Sequence, residues 1–282
     1  MEILKTKREM QVWSGLKKKE GKTICFVPTM GFLHKGHVSL LEKGRPLCHE
    51  LVLSIFVNPA QFGPNEDLDA YPSDIDNDLA LAKKAGVTAV FLPEKDDLYP
   101  EGFQTEVTPG PLAGHLCGKF RPIHFAGVAT VVTKLFNIVM PDAAVFGEKD
   151  YQQLQIVRQL TLDLDFNIDI VAGKIIREKD GLAMSSRNAY LSAAQRVSAR
   201  SLNQALQTAE KKIQAGETDP EQLKTELAAF IHSFDDTRVE YICFCDPNRL
   251  MDITRISSKP VLLALAVKVG HTRLIDNTLI NR

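Results

Sequence analysis

The feature that most restricts the fold is an alternation of apolar runs and helical patterns over residues 1–175. The run LVLSIFVNP at 51–59 is apolar almost throughout, as expected of a strand that is buried on both faces. Five runs predict strands: TICFVP at 23–28, LVLSIFVNP at 51–59, VTAVFLP at 87–93, AAVFG at 143–147 and IDIV at 168–171. Strands that alternate with helices favour an α/β fold, a parallel sheet with helices on both faces.

The pattern changes after about residue 175. Two helical patterns, at 192–216 and 219–234, are followed by three consecutive strand-like runs, which predicts a small α+β domain. We therefore expect two domains, 1–175 and 176–282, and a long loop rich in Pro and Gly at 109–122 that could act as a lid. The helix before the third predicted strand should have Ser73 as its N-cap and should end at Gly86.

Composition excludes several classes of function. The formal net charge is -1, so neither nucleic acid nor a membrane surface is an expected partner. No run approaches the ~18 apolar residues of a membrane span, and the N-terminus lacks the pattern of a signal peptide, so a cytoplasmic protein is expected. The 5 cysteines contain no CxxC pair, which gives a zinc site or a redox motif little support.

Two of the 7 histidines lie in the segment PTMGFLHKGHVSLLEKG at 28–44, directly after the first predicted strand. Gly31 permits a tight turn, and a helix starting near 33–36 would place His34 and His37 on one face of its first turn. The N-terminus of a helix favours phosphate, and imidazoles can stabilise charge that develops on phosphorus. The alternative is that both histidines only cap the helix or pack against it.

A second polar cluster, FGEKDYQQL at 146–154, follows the fourth predicted strand and opens a helix. Lys149 is a point charge suited to phosphate. Asp150 could accept a hydrogen bond from a ribose hydroxyl or cap the helix, and Gln153, on the same helix face, can bind a polar substrate. The alternative is an ordinary charged helix start.

Two further clusters carry hydrogen-bonding side chains. Ser185, Ser186 and Arg187 place two hydroxyls beside a guanidinium, which suits phosphate, although taken alone they are better explained by a helix cap followed by a surface arginine. Asn58 and Gln61 follow the second predicted strand and could bind a hydroxyl or a carboxylate without adding charge, and a plain turn is their alternative. These residues by themselves indicate ATP-dependent transfer at phosphorus.

Together these segments resemble the pantothenate synthetase (pantoate–β-alanine ligase) family, in its order and over nearly the whole chain. The resemblance rests on VPTMGFLHKGH, SIFVNPAQF, DLDAYP, RPIHFAGVATVV, FGEKDYQQL, KDGLAMSSRN and RLIDN. HxGH alone would fit any member of the HIGH-type nucleotidylyltransferase superfamily, whereas GEKDYQQL and GLAMSSRN are more specific. The chain departs from the family at Cys117, where an acidic residue is expected, and at Ile123, where a small or polar residue is usual.

The resemblance implies a homodimer with a Rossmann-like N-terminal domain. It also implies that the substrates pantoate, β-alanine and ATP, with Mg²⁺, are converted through a pantoyl adenylate, with release of pyrophosphate and then AMP. Residue by residue, it implies an ATP site made of Met30, Gly31, Phe32, Leu33, His34, Lys35, Gly36, His37, Gly147, Glu148, Lys149, Asp150, Ile176, Met184, Ser185, Ser186 and Arg187.

The same resemblance assigns catalysis to His37, as the family's proton donor or as a stabiliser of the transition state, together with His34, Lys149, Ser185, Ser186 and Arg187. Pantoate would contact Gln61 and Gln153, and β-alanine would also contact Gln61. Asp78 would lie near the metal.

Two other functions compete with this one. Another adenylyltransferase of the superfamily could act on a different acid or on a phosphate, although a phosphorylated acceptor would need more basic residues than Gln61 and Gln153 provide. A catalytically silent nucleotide-binding protein is the second alternative. The presence of His34, His37, Lys149 and the serine pair 185–186 argues against it.

Overall fold

The computed structural model describes residues 1–64 and 66–281 of the chain. The chain divides into two compact units. The first consists of Met1–Ala113, Arg121–Glu148 and Gln153–Lys174, and the second of Gly114–Phe120, Lys149–Gln152 and Ile175–Arg282. Two short segments, Gly114–Phe120 and Lys149–Gln152, therefore belong to the second unit although their neighbours along the chain belong to the first.

The first unit contains a parallel six-stranded sheet, as the alternating pattern predicted. Its strands are β1 (Glu2–Leu4), β2 (Ile24–Thr29), β3 (Glu50–Ile55), β4 (Ala89–Phe91), β5 (Ala143–Gly147) and β6 (Asp169–Gly173). Their order across the sheet is β1-β4-β3-β2-β5-β6, and every paired neighbour is parallel. The five predicted strands are confirmed with shifted ends. β1 was not predicted, because its two exposed residues and one half-buried residue form no recognisable strand pattern.

The described residues up to Asp163 also form seven helices. They are α1 (Lys7–Lys19), α2 (Lys35–Gly44), α3 (Ile75–Lys84), α4 (Lys95–Leu98), α5 (Leu116–Phe120), α6 (His124–Val139) and α7 (Tyr151–Asp163). The prediction that Ser73 caps α3 was wrong, because the side chain of Asp74 accepts the N–H of Asn77 instead. The predicted stop is confirmed, since Gly86 follows the helix with φ of +79°. The predicted loop at 109–122 contains α5 and a 3-10 turn.

The order of the central strands determines where a ligand can bind. β2 lies between β3 and β5, and it is buried along Ile24–Val27, where the side chains are 0% exposed. The chain runs from β2 to β3 on one side and later returns to β5 on the other, which makes the carboxyl ends of β2 and β5 the switch point of the sheet. Ligands of open α/β sheets bind at such a point.

The second unit is α+β, as predicted. It contains α8 (Ala193–Ala199), α9 (Ser201–Gln214) and α10 (Pro220–His232), and an antiparallel sheet of β7 (Thr237–Cys245), β8 (Val261–Val269) and β9 (Thr272–Ile280) in that order. The single helical pattern predicted over 192–216 is two helices. Leu202, Leu206 and Ile213 of α9 pack with Leu263 and Leu265 of β8 in one buried cluster, so apolar burial holds the helices on the sheet. Among the described residues, no helix has the length and apolar character to cross a membrane.

Candidate active site

The corner between β2 and α2 has an unusual backbone. Gly31 and Phe32 are both left-handed, with φ of +85° and +52°. A Cβ on Gly31 would lie 2.9 Å from Cγ2 of Ile55, so both the backbone angle and the space require glycine. Phe32 adopts a conformation that is uncommon for a residue with a side chain. The corner must therefore be held by contacts from elsewhere in the unit.

Asp78, in the first turn of α3, supplies such contacts. Its Oδ2 accepts the N–H of Phe32 at 2.8 Å, and its Oδ1 accepts the N–H of Leu33 at 2.6 Å. The side chain is 0% exposed. Burial raises the pKa of Asp78 above its ordinary value, although the two backbone N–H groups act in the opposite direction. The structure therefore has an acidic side chain clamping the histidine corner, a contact that the sequence analysis did not predict.

The geometry of the two histidines fixes their tautomers. His34 is the N-cap of α2, and its Nδ1 accepts the N–H of Gly36 at 3.1 Å. The N–H of His34 is directed to Nδ1 of His37 at 3.3 Å. Because a backbone N–H can only donate, both Nδ1 atoms are acceptors, and each neutral ring carries its proton on Nε2. The rings stack with centroids 4.0 Å apart. Capping, the alternative explanation of the pair, is thus observed, and its two hydrogen bonds are accepted by the Nδ1 atoms.

Gln61 lies at the end of the neighbouring strand, in the turn Pro59–Gln61 after β3. It is 9% exposed. The backbone carbonyl oxygen of Gln61 accepts hydrogen bonds from Nη2 of Arg121 and from Nδ1 of His124. A Cβ on Gly127 of α6 would lie 2.2 Å from the carbonyl oxygen of Ala60, so the backbone of the turn lies directly against the backbone of the helix at this point. The position of Gln61 therefore depends on a glycine in the first turn of α6.

The third strand end, that of β5, leads into the predicted phosphate cluster. Gly147 is the last residue of β5, and Glu148 begins a 3-10 turn that ends at Asp150. Gln153 belongs to the first unit with Gly147 and Glu148, whereas Lys149 and Asp150 belong to the second. In the first unit, the residues predicted to bind substrates thus follow β2, β3 and β5, three adjacent strands.

In the second unit, Lys149 is fixed through its backbone. Nδ2 of Asn277, in β9, donates to the carbonyl oxygen of Lys149 at 2.9 Å. The ammonium group of Lys149 lies 3.9 Å from Oδ1 of Asp150, which is exposed. The segment RLIDN, which carries Asn277, was recognised in the sequence, but nothing in the sequence indicated that it contacts Lys149.

The serine-rich cluster is also part of the second unit. Ile176 accepts the N–H of Met184 at 2.9 Å through its carbonyl oxygen. Oγ of Ser185 accepts the N–H of Arg187 at 3.3 Å and caps a 3-10 turn, so the capping alternative is observed for Ser185. Ser186 is buried and Arg187 is half-buried, so Arg187 is not a freely exposed side chain.

An ion pair between a half-buried arginine and a buried aspartate supports this cluster. Both guanidinium Nη atoms of Arg177 donate to the two carboxylate oxygens of Asp276, at 2.6 and 3.0 Å. Burial raises the pKa of Asp276, and Arg177 opposes that shift. The N–H of Asn277 donates to the same carboxylate at 2.8 Å. Asp276 and Asn277 therefore join the strand β9 to the segments that carry Ile176 and Lys149.

Within residues 1–64 and 66–281, no three His, Cys, Asp or Glu side chains are grouped so that they could hold a metal ion. What the first unit offers is a helix N-terminus with two Nε2–H donors at the switch point of a parallel sheet. These features define the class of nucleotide-binding α/β proteins.

The family follows from the sequence as a whole. A family model described as pantoate-beta-alanine ligase matches residues 2–279, and this chain belongs to that family. A pantothenate synthetase of Desulforapulum autotrophicum is 57% identical over 281 residues, which cover 100% of this chain and 99% of that protein. A pantothenate synthetase of Thermotoga petrophila is 46% identical over 280 residues, covering 99% and 100% of the two chains.

Solved structures agree with this membership. The crystal structure of pantothenate synthetase from Thermus thermophilus superposes with a TM-score of 0.93 at 38% identity and covers 100% of both chains. A pantoate-beta-alanine ligase from Francisella tularensis, complexed with beta-gamma ATP and beta-alanine, gives a TM-score of 0.78 at 31% identity, covering 99% of this chain and 97% of that one.

Proposed function

We propose that this chain condenses (R)-pantoate with β-alanine to pantothenate at the expense of ATP, through a pantoyl adenylate. The observation that carries the chemistry is the histidine pair, in which each Nδ1 accepts a backbone N–H and each neutral ring presents Nε2–H. Two such donors at a helix N-terminus suit the phosphate oxygens of ATP. The Francisella tularensis relative, which was crystallised with beta-gamma ATP and beta-alanine, supports the choice of substrates.

In the first step, a carboxylate oxygen of pantoate attacks the α-phosphorus of ATP, the bond to pyrophosphate breaks, and pyrophosphate leaves with its electron pair. His34 and His37 donate to the phosphate oxygens as charge grows on them, and Lys149 adds a positive charge. Stabilisation of this kind accelerates transfer at phosphorus without a nucleophile from the protein. In this neutral form His37 acts as the donor of a hydrogen bond through Nε2–H. Donation of a proton, the other role that the family resemblance allows, would require the imidazolium, whose Nδ1–H would face the N–H of His34.

In the second step, the amine of β-alanine attacks the acyl carbon, the C–N bond forms, the C–O bond to AMP breaks, and the amine releases a proton to solvent. The remaining residues serve binding in this scheme. ATP is held by the histidine corner (residues 30–37, which include Lys35), the segment 147–150, the backbone of Ile176 and the segment 184–187. Gln61 and Gln153 hold pantoate, and Gln61 also lies beside β-alanine.

Mg²⁺ enters this proposal as part of the MgATP substrate. Asp78, which the family resemblance assigns to the metal, does not fit a direct ligand as it stands. Its carboxylate is 0% exposed, and its two oxygens accept the N–H groups of Phe32 and Leu33. We therefore route no step through a metal ion held by the protein.

We also propose that the chain works in the cytoplasm, where ATP is available, and that it forms a homodimer, the commonest oligomer of soluble proteins. Light scattering of the purified protein tests the second statement. A mass twice that of the 31.3 kDa chain is expected, and a mass of one chain at working concentration would contradict the dimer.

Isotope exchange tests the reaction. Given only ATP, Mg²⁺ and pantoate, the protein should exchange labelled pyrophosphate into ATP, because the first step needs no amine. Addition of β-alanine should release AMP. Exchange that needs β-alanine would indicate a concerted reaction, and ADP with orthophosphate as products would exclude adenylation. Exchange with other acids but not with pantoate would favour a different adenylyltransferase, and ATP binding without any exchange would favour a silent nucleotide-binding protein.

His37→Ala tests the role of the histidine pair. The variant should lose most of the exchange and keep much of the amine's attack on pre-formed pantoyl adenylate, which involves no change at phosphorus. His271→Ala is a suitable control because His271 is exposed, in the turn between β8 and β9. Equal losses in both half-reactions would show that His37 supports the fold of the site rather than the step at phosphorus.

A further inference from the structure

Three side chains of the first unit form a continuous chain of hydrogen bonds that ends at Gln61. The hydroxyl of Tyr99 donates to Oδ1 of Asn58 at 2.8 Å. Nδ2 of Asn58 donates to Oε1 of Gln61 at 3.2 Å. Nε2 of Gln61 in turn lies 3.1 Å from the sulfur of Met30, in the histidine corner. We propose that Tyr99 and Asn58 are positioning residues that lock the amide of Gln61 with its N–H₂ group facing the substrate.

The orientation of Asn58 is determined from two sides. Its Nδ2 donates a second hydrogen bond to the carbonyl oxygen of Gly127 at 3.1 Å, and a carbonyl can only accept. Its Oδ1 receives the hydroxyl of Tyr99. Asn58 is 1% exposed, so no solvent is available to replace either partner. A rotated Asn58 amide would face an acceptor with an acceptor, and burial makes such a mismatch costly.

Tyr99 can fill this role over the whole physiological pH range. Burial raises its pKa to about 12, so the hydroxyl keeps its proton and remains a donor. The ring is held independently of the hydroxyl, by an edge contact with Phe103 at 5.1 Å and by the ammonium of Lys134, 5.6 Å from the ring centre. The hydroxyl can thus be removed without removing the packing of the ring.

The orientation of the Gln61 amide determines which substrate group it can bind. Because Oε1 of Gln61 is turned toward Asn58, Gln61 offers a donor and not an acceptor beside Met30. A donor fits a carboxylate or hydroxyl oxygen of an acid and does not fit an ammonium group. We call this hydrogen-bonded chain of Tyr99, Asn58 and Gln61 the relay. The relay therefore makes the amide of Gln61 select the acid and disfavour the ammonium end of β-alanine. This inference rests on the proposed function, in which Gln61 binds pantoate.

Tyr99→Phe and Asn58→Asp test the relay by kinetics. Tyr99→Phe should raise the KM for pantoate about tenfold, the loss expected for one hydrogen bond to a buried acceptor, and should leave the KM for ATP within about twofold. In Asn58→Asp, the carboxylate cannot donate to Gln61, whose amide should rotate and present Oε1 to the acid. The KM for pantoate should then rise about a hundredfold. Asn137→Asp, the same change at an exposed position of α6, should have no effect.

A second measurement needs no substrate and no activity. The side-chain amide signals of Asn58 and Gln61 can be followed by ¹⁵N NMR in the protein alone. Tyr99→Phe should shift both signals and accelerate their exchange with water, while the signal of Asn137 stays in place. Unchanged amide signals would overturn the relay even if wild-type protein showed no reaction with pantoate. Shifted signals in a protein inactive toward pantoate would instead reject the proposed function and keep the relay.

Gln61→Glu completes the design. Its carboxylate presents an acceptor permanently, so this variant should fail like Asn58→Asp, and the double variant should be little worse than either single one. Strictly additive effects, or a rise in the KM for ATP equal to that for pantoate, would show that Asn58 only stabilises the turn.

Discussion

Asp78→Asn is the change that most directly tests how the histidine corner is held. In the wild type, each carboxylate oxygen accepts one backbone N–H, from Phe32 and from Leu33. Asparagine has nearly the same shape, but only its Oδ1 can accept. Its Nδ2 would face the second N–H, donor against donor. The variant therefore loses one of the two contacts while the side chain keeps its volume.

The expected size follows from the lost contact. A hydrogen bond to a charged group contributes about 1.5–3 kcal/mol. About 1.4 kcal/mol corresponds to a factor of ten in rate. Loss of about 1.5–3 kcal/mol of transition-state stabilisation therefore lowers the rate about 10–150-fold. We expect the rate of pyrophosphate exchange to decrease by a factor in this range, because Asp78 holds the two residues immediately before His34.

Stability should behave differently from activity. Burial raises the pKa of Asp78 above its ordinary value of 3.8, so the folded protein binds this proton more tightly than the unfolded chain. The contribution of the carboxyl to stability is thus complete below the unfolded pKa and is lost as the pH rises through the folded pKa. The asparagine side chain of the variant does not titrate. The free energy of unfolding of the wild type minus that of the variant should therefore decrease from acid toward neutral pH.

The assay combines exchange kinetics with urea unfolding at several pH values. Asp76→Asn, the same change at an exposed position of the same helix turn, serves as the control and should leave both measurements unaltered. If Asp78→Asn retained more than half of the exchange rate, the clamp would not be needed for catalysis. A stability difference that grew toward neutral pH would refute the assignment of the raised pKa to burial.

Further changes address other contacts. Gly127→Ala should reduce turnover at least about tenfold, because its Cβ would lie 2.2 Å from the carbonyl oxygen of Ala60. Gly15→Ala, in α1 with nothing within 4 Å, should raise the stability by about 0.5–1 kcal/mol in urea unfolding, and equal effects of both would exclude the steric argument. Lys149→Ala should lower exchange at least about a hundredfold through loss of a charge at the phosphates, and a folded variant with more than half the activity would remove Lys149 from the site. Asn277→Ala should raise the KM for ATP, since the carbonyl of Lys149 loses its donor; an unchanged KM would make that contact irrelevant to ATP. Cys117→Ser should leave turnover within a few-fold, because a serine hydroxyl can keep the contact with the Tyr241 hydroxyl, 3.2 Å from the thiol; abolished turnover in a folded variant would identify a functional thiol.

Much of the architecture could be predicted because it depends on short-range pattern. The apolar run of β3, fully buried in the sheet, and the glycine after α3 can be recognised within ten residues of sequence. The helix after the histidine corner was expected near 33–36 and begins at Lys35. The misses have local causes too. β1 is three residues long, and α3 has two candidate caps in succession, of which the sequence analysis chose Ser73 instead of Asp74.

The spacing of the two histidines could be recognised in the sequence, but their role could not. The sequence alone left open whether His34 and His37 cap the helix or bind an anion. The structure shows that capping occupies Nδ1 of each ring, so capping and binding through Nε2–H are compatible. A pattern of residue types cannot distinguish the two ring nitrogens, whereas the direction of a backbone N–H does.

The sequence by itself determined the order of every described strand except β1, the strand ends where polar clusters follow, and, through resemblance, the family. Tertiary structure alone decided which distant groups hold those clusters. Asp78 contacts residues 45 and 46 positions away, Asn58 reaches Gly127 across 69 positions, and Asn277 reaches Lys149 across 128. Helix and strand preferences act over a few neighbouring residues and leave a periodic trace in the sequence. A hydrogen bond between distant segments leaves no such trace, because its partners meet only after the chain has folded.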